Sequence, residues 1–369
     1  MSNKTETQQE IINSLTVPCH GLLNIAPRVG KTRLVIELIK LQKPKSILWV
    51  TPNTKLRDID IPTEFVTWSA KDYLKKTKII CYASLSKIQD NYELIVLDEY
   101  QHLSELNAAS LISKSINYNN IVGLSGTHPK NVNKQNLYNK LNLKILSSMN
   151  IDTAVDKNLI APYNITVIEC RLDNVNKNII SGNKDKPFYQ TEQAKYDYLT
   201  QAVNKSLYSK QETSKFTFLA RLRFIYGLPS KHQFAKRFIK QLKGRTLVFA
   251  GTIAQAEDLA EHTYHSKTTD KSLLLFLENK INTLCCVNAG GTGFTYKNVD
   301  NFVITQVNSD VTGSVTQKIA RSLVLQKNYK ANIYILCAIN TVDENWKNKV
   351  LENFDTKNIT HVSYKNYPC

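Results

Sequence analysis

The sequence predicts an α/β protein made of two units in series, each a parallel sheet covered on both faces by helices. Three observations carry this expectation. Short apolar runs alternate with amphipathic stretches over the first 150 residues. The same alternation resumes in the second part of the chain. The 369 residues exceed one ordinary core but suit two domains of common size.

In the first part, LLNIA (22–26), SILWV (46–50), KIICYA (78–83), ELIVLD (93–98) and NIVGLS (120–125) are short and apolar, several of them rich in Ile, Val or Leu, as fully buried strands are. Helical periodicity appears in KTRLVIELIKLQ (31–42) and SELNAASLISKSI (104–116). Parallel strands need crossover connections, so strand–helix alternation implies a parallel sheet with helices on its faces. In the second part, ITVIE (165–169), TLVFA (246–250), TLCCVN (283–288), NFVITQ (301–306) and ANIYILC (331–337) predict strands. Residues from about 191 to 242, QAEDLAEHT (255–263) and VTQKIARSLVLQ (315–326) predict helices. The polar, lysine-rich stretch 174–187 predicts a loop. The expected division is 1–150 and 151–369, with a mostly helical insert at about 191–242.

Composition narrows the class. No apolar run approaches the roughly 18 residues that would span a bilayer, and the polar start MSNKTETQQEII is unlike a secretory signal. A cytoplasmic protein without a membrane partner is expected. None of the seven cysteines forms a C-x-x-C pair, and most lie in strand-like runs. Buried reduced thiols are expected rather than zinc ligands or disulfides. The formal net charge of +17 favours a polyanionic partner, of which nucleic acid is the commonest. The abundance of Lys and Asn also fits simple coding bias.

Two segments carry chemistry. After LLNIA comes P-R-V-G-K-T, and a helix begins at once. A phosphate requires backbone N–H donors, a helix N-terminus and a cation. Gly30 permits close backbone approach, Lys31 can reach the β and γ phosphates, and the Thr32 hydroxyl can ligate Mg²⁺. The eight-residue P-loop pattern asks for Gly where Ile25 stands, and Arg28 occupies a place often held by Gly. A chance G-K-T opening an ordinary helix is the competing explanation; the buried strand before it argues against that. In ELIVLDEYQH, Asp98 and Glu99 close a buried strand, where open α/β sheets bind ligands. Asp98 suits Mg²⁺, and Glu99 suits orienting the attacking water. A solvated acidic turn is the alternative.

Six segments, in order, then resemble the motifs of superfamily 2 helicases, over nearly the whole chain: APRVGKT (motif I), DEYQH (motif II), LSGT at 124–127 (motif III), TLVFAGTIAQAEDLA at 246–260 (motif IV), CCVNAGGTGFTYKNVD at 285–300 (motif V, close to the Gly-rich Snf-type form) and TQKIARSLVLQ at 316–326 (motif VI). The short chain is similar to phage-encoded members. The resemblance implies tandem RecA-like domains of the P-loop NTPase type, with the ATP cleft between them. It implies ATP and Mg²⁺ as cofactors, with Thr32 and Asp98 holding the metal. Lys31, Asp98, Glu99, Gln101 and Arg321 would be catalytic. Gln9 (or its neighbour Gln8), Pro27, Arg28, Val29, Gly30, Lys31, Thr32 and Arg33 would bind ATP, joined by Gly293, Gln317 and Arg321 from the second domain. Thr51, Pro52, Asn53, Tyr82, Ser84, Gly251, Thr252, Asn288, Gly291 and Thr292 would contact nucleic acid. Ser125 and Thr127 would couple hydrolysis to movement. Two departures stand in motif VI: Ala320 replaces the usual Gly, and Val324 replaces the usual second Arg.

The implied function is an ATP-dependent DNA helicase acting as a monomer, with DNA favoured over RNA. A duplex translocase that does not unwind, or a weakly active ATPase-fold binding protein, is the alternative. The motifs also weigh against a small-molecule P-loop kinase. The stretch 215–245 mixes Lys and Arg with Phe and Tyr. Such a mixture can grip a backbone and stack on bases, or simply turn aromatics inward and lysines outward on helices.

Overall fold

The computed structural model describes residues 3–113, 120–129, 131–183, 185–208, 214–287, 296–307 and 314–367. They divide into two compact units: 3–162 with 314–329, and 163–287 with 296–307 and 330–367.

The first unit is organised by strands β1 (Gly21–Ile25), β2 (Ile47–Thr51), β3 (Thr77–Cys81), β4 (Leu94–Asp98), β5 (Ile121–Ser125) and β6 (Ile145–Met149). They form one sheet in the order β3-β2-β4-β5-β1-β6, and every pairing is parallel. Strands β2, β4 and β5 are buried at every position, as expected of a sheet covered on both faces. The parallel arrangement brings all the carboxyl ends to one edge. There the chain after β1, the end of β4 and the end of β5 lie on neighbouring strands. Gly123 lets β5 pass close to its neighbours: a Cβ there would sit 2.5 Å from Leu22 Cδ2 and 3.1 Å from the Tyr100 ring.

The helix Lys31–Gln42 follows β1 and buries Leu34, Val35, Ile36, Leu38 and Ile39. The 34/38 and 35/39 pairs place this apolar stripe on one face. Lys43 ends the helix in a left-handed conformation and donates its N–H to the Ile39 carbonyl. No acid occupies the first turn, so the positive end of the helix dipole is left for an anion.

The second unit contains β7 (Tyr163–Cys170), the antiparallel ribbon β8 (Ile179–Asn183) and β9 (Lys186–Gln190), and then β10 (Thr246–Ala250), β11 (Thr263–Tyr264), β12 (Thr283–Val287), β13 (Asn301–Ile304), β14 (Ala331–Ala338) and β15 (Ile359–Ser363). Its seven-stranded sheet runs β11-β12-β10-β13-β14-β7-β15, all parallel. The ribbon corrects the expectation of a loop at 174–187. Gly182, at φ +92°, takes the left-handed region that the pairing of β8 with β9 requires, and a Cβ there would meet the Lys186 carbonyl.

Between β9 and β10 lie the helices Glu192–Tyr208, Ser214–Tyr226 and Pro229–Gln241. The last turns Phe234, Phe238 and Ile239 into a core with Ile168, Val248, Cys285, Val303 and Leu336. The Phe238 ring meets those of Tyr334 and Tyr367 at 5.0 and 5.1 Å. Lys231 on the same helix is buried, with its ammonium 3.0 Å from Asp343 and 2.9 Å from Gln306. Asp343 also accepts from the Ala338 N–H, tying the helix to the end of β14. Cys19, Cys170, Cys285, Cys286 and Cys337 are buried free thiols. No described helix is long and apolar enough to cross a membrane.

Candidate active site

The residues after β1 make a tight turn whose backbone is set by two left-handed positions. Arg28 has φ 70° and Gly30 has φ 99°. A non-glycine residue in that region costs about 1 kcal/mol or more, which is the physical reason for the Gly often found at the Arg28 position. Gly30 caps the helix Lys31–Gln42, and a Cβ there would stand 2.3 Å from Gln8 Nε2. Gln8 comes from the first helix, Asn3–Asn13, is almost fully buried, and donates from Nε2 to the Val29 carbonyl at 2.6 Å. Its Oε1 is buried without a hydrogen-bond partner.

On the neighbouring strands, Asp98 ends β4 and is 8% exposed. Burial, with Glu99 beside it, pushes its carboxyl up to about 7, while the Lys31 ammonium pulls the other way. Glu99 is in a left-handed conformation, φ 53°. Its Oε2 accepts from Gln101 Nε2 at 2.8 Å and from Gln317 Nε2 at 3.2 Å. The chain of polar contacts continues to the end of β5. The single Ser125 hydroxyl proton is shared between Gln101 Oε1 at 2.6 Å and the Thr127 carbonyl at 2.7 Å, and Ser125 Oγ accepts the Thr127 N–H at 3.0 Å. A Cβ on Gly126 would lie 2.8 Å from Pro27 and 3.5 Å from the Lys31 ammonium. The segment 125–127 therefore abuts the turn after β1.

Gln317 and Arg321 stand one helical turn apart on the helix Ser314–Ser322. That helix groups with the first unit by packing, although its sequence lies far along the chain. Arg28 donates from Nη2 to the Arg321 carbonyl at 3.2 Å. Burial and the nearby Arg321 guanidinium pull Arg28 down to about 10. Pro27, Arg28, Lys31, Thr32, Glu99, Gln317 and Arg321 line one cavity of about 530 Å³, within the range of small-molecule sites. Its far wall comes from a π-helical turn, Leu56–Asp60, and the helix Ile61–Thr67, which contribute Ile59, Asp60, Thr63 and Glu64.

The other expected positions fall as follows. Val29 is fully buried, and Arg33 is turned to Thr5 and to the Trp68 ring, 4.1 Å from its centre. Gln9 points to Asn13 at 2.8 Å, so its neighbour Gln8 is the glutamine at the turn. Thr51 is fully buried, and Tyr82 is buried with its phenol donating to the Asp98 carbonyl at 3.0 Å. Neither side chain is presented to a large ligand. Pro52, Asn53 and Ser84 are half-buried at the strand ends; Asn53 accepts the Leu56 N–H at 2.9 Å. In the second unit, Thr252 is exposed and caps the helix Ile253–Leu259 by accepting the Gln255 N–H, while the Gly251 N–H is held by Gln255 Oε1. Asn288, Gly291, Thr292 and Gly293 lie outside the described residues. Sequence reasoning gave no sign of the 56–64 wall; the only local cue is the unusual π turn, which often marks functional places.

A buried carboxylate whose charge is disfavoured by burial and by Glu99, and which feels the Lys31 ammonium, suits a divalent cation next to a phosphate. Mg²⁺ takes few protein ligands and shares the rest with water and phosphate oxygens; Thr32 and Asp98 are the residues that would hold it.

No protein-family model matches the chain, and no curated protein matches it. Solved structures do. Dbp5 of S. cerevisiae bound to RNA and ADP BeF3 is 12% identical, with a TM-score of 0.54 over 98% of this chain and 90% of that one. The Hef helicase domain of Pyrococcus furiosus is 13% identical, with a TM-score of 0.53 over 93% and 97%. The ATP-dependent Type ISP restriction-modification enzyme LlaBIII bound to DNA is 11% identical, with a TM-score of 0.59, covering 99% of this chain but 32% of that one. The fold is thus α/β with two parallel sheets, as in tandem RecA-like proteins.

Proposed function

We propose that this chain is a nucleic-acid-dependent ATPase of the superfamily 2 type that couples hydrolysis to movement along DNA or to its unwinding. The observation that supports this most is the shared cavity: Lys31, Glu99 and Arg321 line it together, and Gln317 reaches Glu99. In this mechanism the N–H groups of the turn and the start of the helix Lys31–Gln42 receive the phosphates. Lys31 neutralises the β and γ oxygens. Mg²⁺, when bound through Thr32 and Asp98, supplies further charge compensation. Glu99 orients a water for attack on the γ-phosphorus, held in place by Gln101 and Gln317. Arg321 offsets the charge that develops during transfer; a residue in that role is worth about 10³–10⁵-fold where it is used. The Ser125–Thr127 contact carries a change at Gln101 to the end of β5. Pro52, Asn53, Ser84, Gly251 and Thr252 offer phosphate contacts, which would be independent of sequence and sensitive to salt.

Duplex translocation without strand separation is the second reading, supported by the Gly-rich sequence 288–293. The test is ATP hydrolysis titrated with single-stranded, duplex and forked DNA and with RNA. Stimulation by DNA that disappears in Lys31→Ala is expected. Hydrolysis indifferent to every nucleic acid would refute the proposal. Strand-displacement and triplex-displacement assays then separate unwinding from translocation.

A further inference from the structure

The helices Glu192–Tyr208 and Ser214–Tyr226 pack against one another, with Ser206 Oγ 3.0 Å from Thr217 Oγ1. That contact sets Tyr208 and Phe216 at the same end of the pair. Both rings are turned outward: Tyr208 is 90% exposed and Phe216 75%. Further along the second helix, Phe216, Leu219, Ala220 and Arg223 follow the i, i+3, i+4, i+7 spacing of one face, and all four are exposed. An apolar stripe normally faces a core. Here the inward position is taken by Ile225, which is fully buried, and the stripe points to solvent.

Charge identifies what the stripe fits. From Thr213 to Ala256 the sequence contains nine Lys and Arg residues and no Asp or Glu. Of these, Lys231 is spent on Asp343 and Lys236 on Asp258. Lys215 and Arg223 are exposed on the same helix as Phe216, Lys205 is exposed on the facing helix, and the Arg221 guanidinium lies 5.7 Å from the Phe218 ring centre. A partner with a hydrophobic, neutral surface would leave these cations uncompensated. A single-stranded nucleic acid offers a π-face for each ring and a phosphate for each cation.

We propose that this helical pair is a platform for unpaired nucleotides, with Tyr208 and Phe216 stacking on bases and Lys205, Lys215 and Arg223 contacting phosphates. It adds a second, single-strand contact remote in sequence from the strand-end residues, and it rests on the reading that nucleic acid is the partner. Stacking tolerates any base, so the platform has little sequence preference.

The test uses the full chain and a fluorescein-labelled dT20 strand, followed by anisotropy, with U20 as a second probe. Tyr208→Leu/Phe216→Leu keeps apolar bulk and helix-compatible residues but removes both π-faces. Tyr208→Phe/Phe216→Tyr keeps them. The leucine pair should weaken dT20 binding by about 10-fold or more, the aromatic pair by less than about 2-fold. The slope of log affinity against log salt should stay as in the wild type, because no charge is removed. ATP hydrolysis without nucleic acid should be unchanged in both, which separates failure of the platform from failure of the ATPase reading. Equal dT20 affinity of wild type and leucine pair would overturn the proposal. So would a wild-type dimer in sedimentation that the leucine pair converts to monomer, since the stripe would then be a contact between copies.

Discussion

Replacing Asp98 with Asn should make the protein more stable while abolishing its chemistry. Burial and the adjacent Glu99 raise the Asp98 carboxyl from its ordinary 3.8 to about 7. A carboxyl raised in the folded state binds its proton more tightly there than in the unfolded chain. The fold is therefore unpenalised below the unfolded value and loses stability as pH rises from about 4 to 7. At about 1.36 kcal/mol per pH unit, the penalty is on the order of 4 kcal/mol at most at pH 8 and roughly half that or less at pH 5. The amide keeps the shape of the side chain without its charge. For a unit of this size, 2 kcal/mol raises Tm by roughly 4–8 °C. The assay is thermal unfolding of wild type and Asp98→Asn, without Mg²⁺ or nucleotide, at pH 8, 5 and 4. The gain should be largest at pH 8, smaller at pH 5 and gone near pH 4, while Mg²⁺-dependent hydrolysis is lost throughout. A variant less stable than wild type at pH 8, or a gain independent of pH, would refute the assignment of Asp98 as a carboxylate held at a cost for a cation.

Three further outcomes follow from the geometry. Gly30→Ala forces a Cβ to within 2.3 Å of Gln8 at φ +99°; it should weaken binding of a fluorescent ATP analogue by about 10-fold or more and cost about 1–2 kcal/mol of stability in urea unfolding. Gln8→Ala should raise KM for ATP, whereas Gln9→Ala, whose exposed side chain bonds to Asn13 within its own helix, should leave steady-state kinetics unchanged. Lys231→Met strands the buried Asp343 and should cost about 3–5 kcal/mol in urea unfolding, with much of the loss recovered in Lys231→Met/Asp343→Leu.

The interior strands were legible because nothing else explains four to six consecutive apolar residues: β2, β4, β5 and β10 fall where SILWV, ELIVLD, NIVGLS and TLVFA predict them, within a residue at either end. The edges were not. β6 is exposed or half-exposed at four of its five positions and β15 at all five, so neither carries an apolar run. The ribbon β8–β9 (IISGN and KPFYQ) follows a Lys- and Asn-rich stretch and buries almost nothing, so it resembles a loop. The helix Lys31–Gln42 announced itself at both ends, through Gly30 and through its apolar spacing. At the candidate site, residue type just beyond β1 and β4 was enough to single out Lys31 and Glu99, which line one cavity. The burial of Thr51 and Tyr82 could not be read the same way, because sequence fixes their position at a strand end but not which way the side chain points. The choice between Gln8 and Gln9 is one of helical phase. The two side chains stand about 100° apart on their helix, and only the packing of that helix against the turn selects the inward one.

The central claim is that one nucleotide is touched by both Lys31 and Arg321. A crystal structure with Mg²⁺ and a non-hydrolysable ATP analogue measures this directly. The account predicts the β and γ phosphates on the turn 27–32, within hydrogen-bond reach of Lys31, with the Arg321 guanidinium on the γ-phosphate. A nucleotide bound elsewhere, or an Arg321 side chain turned away from a nucleotide seated on that turn, would contradict it.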